Sequence, residues 1–254
     1  MEHILLQVET MAHDVIGSGE FRATTRPVRV EIEPLHAPGT RRTVWAAEIG
    51  DDLILEGDIL VEGAPTPRQL RRRLWVGGVV VYSIDAGVLW PGRIEAAMAA
   101  WQARTPIRFR HREAHDANFV VFRHGEGCSS GVGMIGGMQY VDLDASASVG
   151  TIVHEIGHVI GLWHEQSRRD RDRYVQIDYE NIDPSLRYNF NQQLNDGIDV
   201  GPYDYDSIMH SPRNALALDP GRPTIVAPAG VVIGQRDHIS AGDAYAVGHF
   251  YGGS

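Results

Sequence analysis

The 254-residue sequence has a single cysteine, no long apolar run and no excess of positive charge. One cysteine, Cys128, excludes an intrachain disulfide, so the fold must be stabilised by its core. No stretch approaches the roughly 18 apolar residues that cross a bilayer, so we expect no membrane span. The 33 acidic residues outnumber the 23 basic ones, and the net charge of −10 argues against a protein that binds nucleic acid.

The chain divides by composition near residue 73. The first ~65 residues are typical of short strands and turns, and the Pro- and Arg-rich stretch at 64–73 is typical of an exposed linker. Beyond it, strands are predicted in the segments VGGVVVYSI, IRFR, NFVVFRH and GMQYVDL. We therefore predict an N-terminal segment at 1–73 and a larger domain at 74–254.

Helices are predicted among these strands and at the end of the chain. After Pro91, apolar residues recur at the spacing of an amphipathic helix: Ile94, Ala97, Met98 and Trp101. A last helix is predicted to begin at Ser240, where SAGD has the spacing of a capping box. The domain therefore mixes strands and helices in its first half, whereas irregular structure dominates its second half.

The segment HEIGHVIGLWHE, at 154–165, has the spacing of a metal site. His154 and His158 are four residues apart, so on a helix they lie on one face and can share a metal ion. Glu155 is not required as a ligand and can act as a general base on a metal-bound water. The alternative is a histidine-rich helix without metal, which the offsets of the glycine and glutamate disfavour.

His164 is expected to be a third ligand because of Gly161. Six residues rotate a continuous helix by about 240°, which would turn His164 away from His158. Glycine tolerates the left-handed conformation that ends a helix, so the chain can turn at Gly161 and bring His164 back. Three imidazole nitrogens and a water form the open arrangement of a catalytic zinc site, so we expect one Zn²⁺ per chain.

These residues resemble a known family. The pattern H-E-x-x-H-x-x-G-x-x-H is the metzincin signature, and its continuation into Glu165 resembles the astacin family of zinc endopeptidases. The segment YDYDSIMHS resembles the Met-turn of that family, with Met209 beneath the zinc ligands. The similarity covers about 74–251.

The resemblance implies an α+β fold with two lobes around a cleft. One lobe would hold a twisted sheet and two long helices, the second of which carries the metal motif. The other lobe, from about Glu165, would hold the Met-turn and little regular structure. A peptide substrate would pair with an edge strand, which we place at 137–141.

The resemblance also implies that the N-terminal segment is inhibitory. Astacin-like zymogens block their zinc with the aspartate of an F-E-G-D-like motif, and LILEGDIL contains Glu56, Gly57 and Asp58. Asp58 is therefore expected to occupy the water position of the metal in a latent chain. Without the downstream domain, the same three residues would indicate only a turn.

Two further residues take roles from the family. Glu165 would contact the new N-terminus of the mature enzyme after the pro-segment is removed. Arg236 lies where the family shapes the pocket just past the cleaved bond, and an arginine there would favour an acidic residue. A surface salt bridge is the alternative interpretation for Arg236.

Three features depart from the family pattern. Cys128 matches one family cysteine, but its partner is missing. The tyrosine that usually follows the Met-turn methionine by two residues is replaced by Ser211, and we expect Tyr203 and Tyr205 to pack structurally rather than substitute for it. The family is mostly secreted, yet the first residues lack the basic start of a signal peptide, so the localisation is left open.

Two other functions are consistent with the motif. One is a zinc-binding module with little or no turnover, favoured by Ser211 and by Asp58 and opposed by the intact Glu155. The other is a zinc hydrolase of a non-peptide bond, which the Met-turn opposes. The peptidase hypothesis predicts protein or peptide substrates and a monomeric enzyme.

Overall fold

A computed structural model describes residues 15–16, 23–24, 27–32, 42–49, 52–61, 73–193 and 197–252. The strands within these ranges are β1 (Val15–Ile16), β2 (Ala23–Thr24), β3 (Val28–Ile32), β4 (Arg42–Ile49), β5 (Asp52–Leu55), β6 (Ile59–Val61), β7 (Val79–Ile84), β8 (Arg108–His111), β9 (Phe119–His124), β10 (Ser129–Ser130), β11 (Met138–Leu143), β12 (Gln176–Ile177) and β13 (Ile225–Val226). The helices are α1 (Pro91–Arg104), α2 (Val149–Val159) and α3 (Ala241–Tyr251). None of these described helices is long and apolar enough to cross a membrane.

A mixed sheet joins the N-terminal segment to the larger domain. Its strand order is β3-β4-β5-β6-β10-β11-β9-β7-β8. The four strands predicted after residue 73 form its parallel part, with β11 beside β9, β9 beside β7, and β7 beside β8. The short strand β10 is antiparallel to β11, and β6 of the N-terminal segment is parallel to β10. The expected α+β architecture is confirmed.

The prediction of an edge strand at 137–141 was wrong. β11 lies inside the sheet, since Met138 to Leu143 pair with β9 on one side, while Val141 and Asp142 pair with β10 on the other. Among the described strands of residues 73–252, the two edges are β8 and β10, and β10, at Ser129–Ser130, is the one that contacts α2. An apolar alternation identifies a strand but carries no information about its neighbours, and a strand of two residues leaves almost no pattern to read.

Helices α1 and α2 pack on each other and share one hydrophobic core with the sheet. The predicted stripe on α1 is buried, with Ile94, Ala97, Met98 and Trp101 all in the core. The Trp101 indole donates a hydrogen bond to the carbonyl of Val153 on α2 (2.9 Å). Trp75, which precedes β7, donates in the same way to the carbonyl of Val159 (2.9 Å). These bonds fix α2 against the rest of the core.

Helix α2 runs through the interior and ends where the sequence predicts. Ser148 caps its first turn by accepting a hydrogen bond from the Thr151 amide. The last helical residue is Val159, and Gly161 has a φ of 107°, in the region that favours glycine. A side chain at Gly157 would require Met209 to shift, because a Cβ there would lie 2.3 Å from the Met209 sulfur.

Beyond residue 164 the chain forms 3-10 turns, loops and the final helix. The 3-10 helices of this part are Glu165–Ser167, Arg171–Arg173, Tyr179–Asn181 and Pro184–Phe190, and a further one, Val76–Gly78, precedes β7. The predicted capping box is present, since Ser240 and Asp243 exchange hydrogen bonds at the start of α3. Asp243 also accepts from the Ser207 hydroxyl (2.6 Å) and the Ile208 amide (2.9 Å). The α3 helix thereby anchors the segment that contains Met209.

Candidate metal centre

Three histidine side chains converge in the core. His154 and His158 extend from the last two turns of α2, and His164 comes from the chain that turns back after Gly161. Their exposures are 1%, 0% and 1%. The centroid of the His158 ring lies 4.9 Å from that of His154 and 4.8 Å from that of His164. The Nε2 atoms of His154 and His164 are 3.3 Å apart.

Each imidazole is oriented by a hydrogen bond from its other nitrogen. His154 Nδ1 donates to the carbonyl of Ile208 (2.8 Å), and His158 Nδ1 donates to the carbonyl of Leu162 (2.9 Å). His164 Nδ1 lies 2.7 Å from a carboxylate oxygen of Glu56. Because a neutral imidazole with its proton on Nδ1 presents a lone pair at Nε2, these partners turn three lone pairs toward one point.

Asp58 of the N-terminal segment reaches that point. Its carboxylate lies 3.2 Å from His154 Nε2, 3.1 Å from His164 Nε2 and 3.6 Å from His158 Nε2. Four ligand atoms, one from Asp58 and one from each histidine, lie within 4.8 Å of one another. His158 Nε2 is buried without a hydrogen-bond partner. A buried nitrogen without a hydrogen-bond partner is explained if it is a ligand of a metal ion.

The spacing fits zinc. Tetrahedral zinc with Zn–N bonds of about 2.0–2.1 Å separates its nitrogen ligands by roughly 3.3–3.4 Å. The observed separation of 3.3 Å between two Nε2 atoms agrees with that value. Three nitrogens and one carboxylate oxygen are also ligands that zinc accepts readily.

The charge states of the group follow from burial and from Asp58. Burial lowers the pKa of His154 to about 3 and also lowers the pKa of His158, so both rings are neutral, as metal ligands must be. Burial opposes a charge on His164, but the Asp58 carboxylate outweighs it and raises the pKa of His164 to about 10. Burial raises the pKa of Asp58, but the charged His164 and the histidine hydrogen bonds hold it well below its usual range. Without a metal, the positive charge beside Asp58 is the proton on His164, and a bound cation would replace that proton and leave all three rings neutral.

Glu155 is fully buried next to the first histidine. The Ser130 hydroxyl lies 2.6 Å from a carboxylate oxygen of Glu155 and 2.9 Å from the Glu155 backbone carbonyl. Ser130 belongs to β10, so the edge of the sheet and the Glu155 carboxylate are in direct contact. Sequence reasoning missed Ser130, which lies in a short polar strand without a recognisable motif.

Met209 lies beneath the helix that carries the first two histidines. Its sulfur fills the space next to Gly157. Its backbone amide donates a hydrogen bond to the Ser207 hydroxyl (3.0 Å). The Met209 carbonyl accepts from the amide of Glu165 (3.2 Å). The turn is thus bonded to the residue that directly follows the third histidine.

The residues around Ser211 form a separate buried network. Gln166 donates to the Ser211 hydroxyl (2.6 Å) and accepts from the Ser211 amide (2.9 Å). The Tyr203 hydroxyl is 2.8 Å from His210 Nε2, and the Tyr205 hydroxyl donates to the carbonyl of Tyr174 (2.9 Å). Both tyrosines therefore have structural contacts, as expected.

Glu165 and Arg236 contact the Met-turn region from two sides. A Glu165 oxygen accepts from the Asp204 amide (2.7 Å), and burial raises the pKa of Glu165 to about 8. Arg236 Nη1 donates to the carbonyls of Ile208 and His210, both at 3.0 Å. The pocket role of Arg236 stays a prediction.

The fold and the three-histidine centre define a zinc peptidase of the metzincin class. Residues 68–252 match the family model described as Astacin (Peptidase family M12A). The chain belongs to the astacin family.

Known relatives agree in sequence and structure. High choriolytic enzyme 2 of Oryzias latipes is 36% identical over 221 residues, which cover 80% of this chain and 77% of that protein. The structure of High choriolytic enzyme 1, a hatching enzyme zinc-protease from the same fish, is 35% identical, with a TM-score of 0.64 and coverage of 72% of this chain and 94% of that one. Tolloid-like protein 1 of Mus musculus is 38% identical over 186 residues, which are 67% of this chain and 18% of that protein.

The protein is therefore a zinc metalloendopeptidase that acts on protein or peptide substrates. The relatives support this activity over the two alternatives, a binding module without turnover and a hydrolase of non-peptide bonds. The expectation of one bound zinc agrees with the family and with the three-histidine group.

Proposed function

We propose that the full chain is a latent zymogen, in which residues 1–73 inhibit a catalytic domain at 74–254. The observation that carries this proposal is the position of Asp58, which is fully buried among the three histidine Nε2 atoms. With zinc bound by the three histidines, a carboxylate in that position would take the place of the catalytic water. His154, His158 and His164 are the proposed zinc ligands.

The N-terminal segment also occupies the edge where a substrate would pair. The Ser130 amide donates to the carbonyl of Asp58 (3.0 Å), and Ile59 is the register partner of Ser130. An extended peptide needs the same backbone groups of β10 to align itself over the metal. One short segment, Asp58–Ile59, therefore blocks both the metal and the sheet edge.

In the open enzyme, Glu155 is the proposed general base. When bound, zinc polarises the scissile carbonyl and lowers the pKa of a water molecule toward ~7. Glu155 accepts a proton from the attacking water and then passes it to the leaving amine. Ser130 orients the Glu155 carboxylate in the latent chain, and the three Nδ1 hydrogen-bond partners keep the imidazoles aimed at the metal.

Activation is proposed to follow cleavage at 71–73. Arg71 and Arg72 lie outside the described residues, whereas the exposed Arg73 pairs with Met134 through two backbone hydrogen bonds (2.8 and 2.7 Å). The new N-terminus is proposed to bind the buried carboxyl of Glu165, which lines a pocket together with Arg168. Arg236 is proposed to favour an acidic residue just past the cleaved bond. The active enzyme is proposed to be a monomer, which sedimentation tests.

The test compares casein cleavage by the intact chain and by the chain after limited trypsin treatment. We expect weak activity before cleavage and a clear rise after it. Glu155→Gln serves as the catalytic control, because it must stay inactive before and after trypsin. Equal activity of intact and trimmed wild type would refute the zymogen.

A further inference from the structure

Glu56, two residues before the metal-blocking Asp58, is held by a set of donors of its own. The residue is 6% exposed, and its carboxylate lies 2.7 Å from His164 Nδ1 and 2.7 Å from the Ser167 hydroxyl. Gln193 Nε2 donates to the other carboxylate oxygen. Glu56 thus enters the domain on the Nδ1 side of His164, whereas Asp58 contacts its Nε2 side.

The donors belong to the larger domain and are linked to one another. Ser167 ends the 3-10 turn that follows His164, and its carbonyl accepts a hydrogen bond from the Gln193 amide (2.7 Å). The Ser167 side chain is also buried. The two neutral donors are therefore held in place by backbone contacts that do not involve Glu56.

The backbone of Glu56 has an unfavourable conformation. Glu56 has a φ of 53°, which is unfavourable for any residue except glycine. A buried carboxylate is also costly unless charged or polar donors surround it. Both costs occur at one residue, and the three donors are placed to offset the burial of its carboxylate.

We propose that His164 Nδ1, Ser167 and Gln193 form a carboxylate-binding site that holds Glu56 in the latent chain and accepts a free carboxylate when Glu56 is absent. The proposal rests on the proposed latency, and it makes Glu56 a positioning residue for Asp58. An amide is a poor substitute for this carboxylate, since its NH₂ group would face one of the donors. The site is specific for an anion with two acceptor oxygens.

The rate at which a chelator removes zinc from the uncut chain measures how often the segment at 56–58 opens. Glu56→Gln should increase this rate roughly tenfold or more, at the lower end of what a hydrogen bond to a charged group contributes. Glu48→Gln is the matched control, since Glu48 is an exposed residue of β4, and it should leave the rate unchanged. Asp58→Ala, assayed in parallel, reports on the proposed latency itself.

A second arm tests the chemistry of the site. Glu56→Ala removes the side chain and leaves the three donors, so formate should slow zinc loss again, while chloride at equal ionic strength should not. Ser167→Ala and Glu56→Gln should show non-additive effects, because the two residues share one contact. Each variant must first bind one zinc per chain, with the far-ultraviolet circular dichroism of wild type.

The outcomes separate the two proposals. Rapid zinc loss from Asp58→Ala with wild-type behaviour of Glu56→Gln would overturn the carboxylate site and leave the latency intact. Slow loss from every variant would overturn both. Rapid loss from Glu56→Gln, formate rescue of Glu56→Ala and an unaffected Glu48→Gln would support the site.

Discussion

Because Gly157 contacts Met209, we predict that Gly157→Ala destabilises the wild-type protein but stabilises the Met209→Ala variant. In Gly157→Ala the new Cβ would lie 2.3 Å from the Met209 sulfur, 3.2 Å from its methyl carbon and 3.5 Å from the Trp101 ring. The first distance is well short of a van der Waals contact. Overpacking of this kind typically costs about 1–3 kcal/mol, and the severity of the clash favours about 3 kcal/mol.

Alanine also has a higher helix propensity than glycine, by about 1 kcal/mol. The net destabilisation of Gly157→Ala should therefore be about 2 kcal/mol, or a decrease of roughly 4–8 °C in melting temperature for a chain of this size. In a Met209→Ala background the clash is gone and only the propensity remains. There, Gly157→Ala should stabilise the protein by up to about 1 kcal/mol.

Urea unfolding of the four proteins, wild type, two single variants and the double variant, measures both effects. All four should be metal-free, so that zinc affinity does not contribute to the free energy of unfolding. The reasoning would be refuted if Gly157→Ala were neutral in the wild-type background, or equally destabilising in both backgrounds.

Three further predictions concern activity. Glu155→Gln should retain one zinc per chain by elemental analysis and lose at least roughly a hundredfold in casein turnover; near-normal turnover would mean that another group activates the water. His158→Ala and His158→Gln should both weaken zinc binding sharply in a competition titration, and an unaltered affinity would exclude His158 as a ligand. Ser211→Tyr should raise kcat of the trypsin-treated enzyme more than it changes KM, since a phenol near zinc acts in the transition state; it should also reduce stability, because the hydrogen bond from Gln166 is lost. If Ser211→Tyr is no faster on several peptides, another residue already donates the hydrogen bond in the transition state.

The metal centre could be predicted because its information is local. The three histidines and Gly161 lie within eleven consecutive residues, at 154–164. The stripe on α1 and the capping box at Ser240 are equally local and were also predicted correctly. In each case the residues lie on one helix or directly after its end, so the sequence separation largely determines the geometry.

The environment of the centre could not be predicted in the same way. Glu56 meets His164, Ser167 and Gln193 across 108, 111 and 137 residues of sequence. The edge of the sheet depends on which strands become neighbours, and β10 is too short to show a period. Contacts at such separations are set by the assembled core, not by local preference.

The claim that Asp58 blocks the metal is tested most directly by the activity of the uncut Asp58→Ala variant. Zinc content and the trypsin-released activity of each sample provide the normalisation. Because β6 still covers the sheet edge in this variant, we expect activity between those of the uncut and the trimmed wild type. The expected rise over uncut wild type is roughly tenfold or more, as for the loss of one interaction with a charged group. An uncut Asp58→Ala protein no more active than uncut wild type, with full zinc content, would contradict the account.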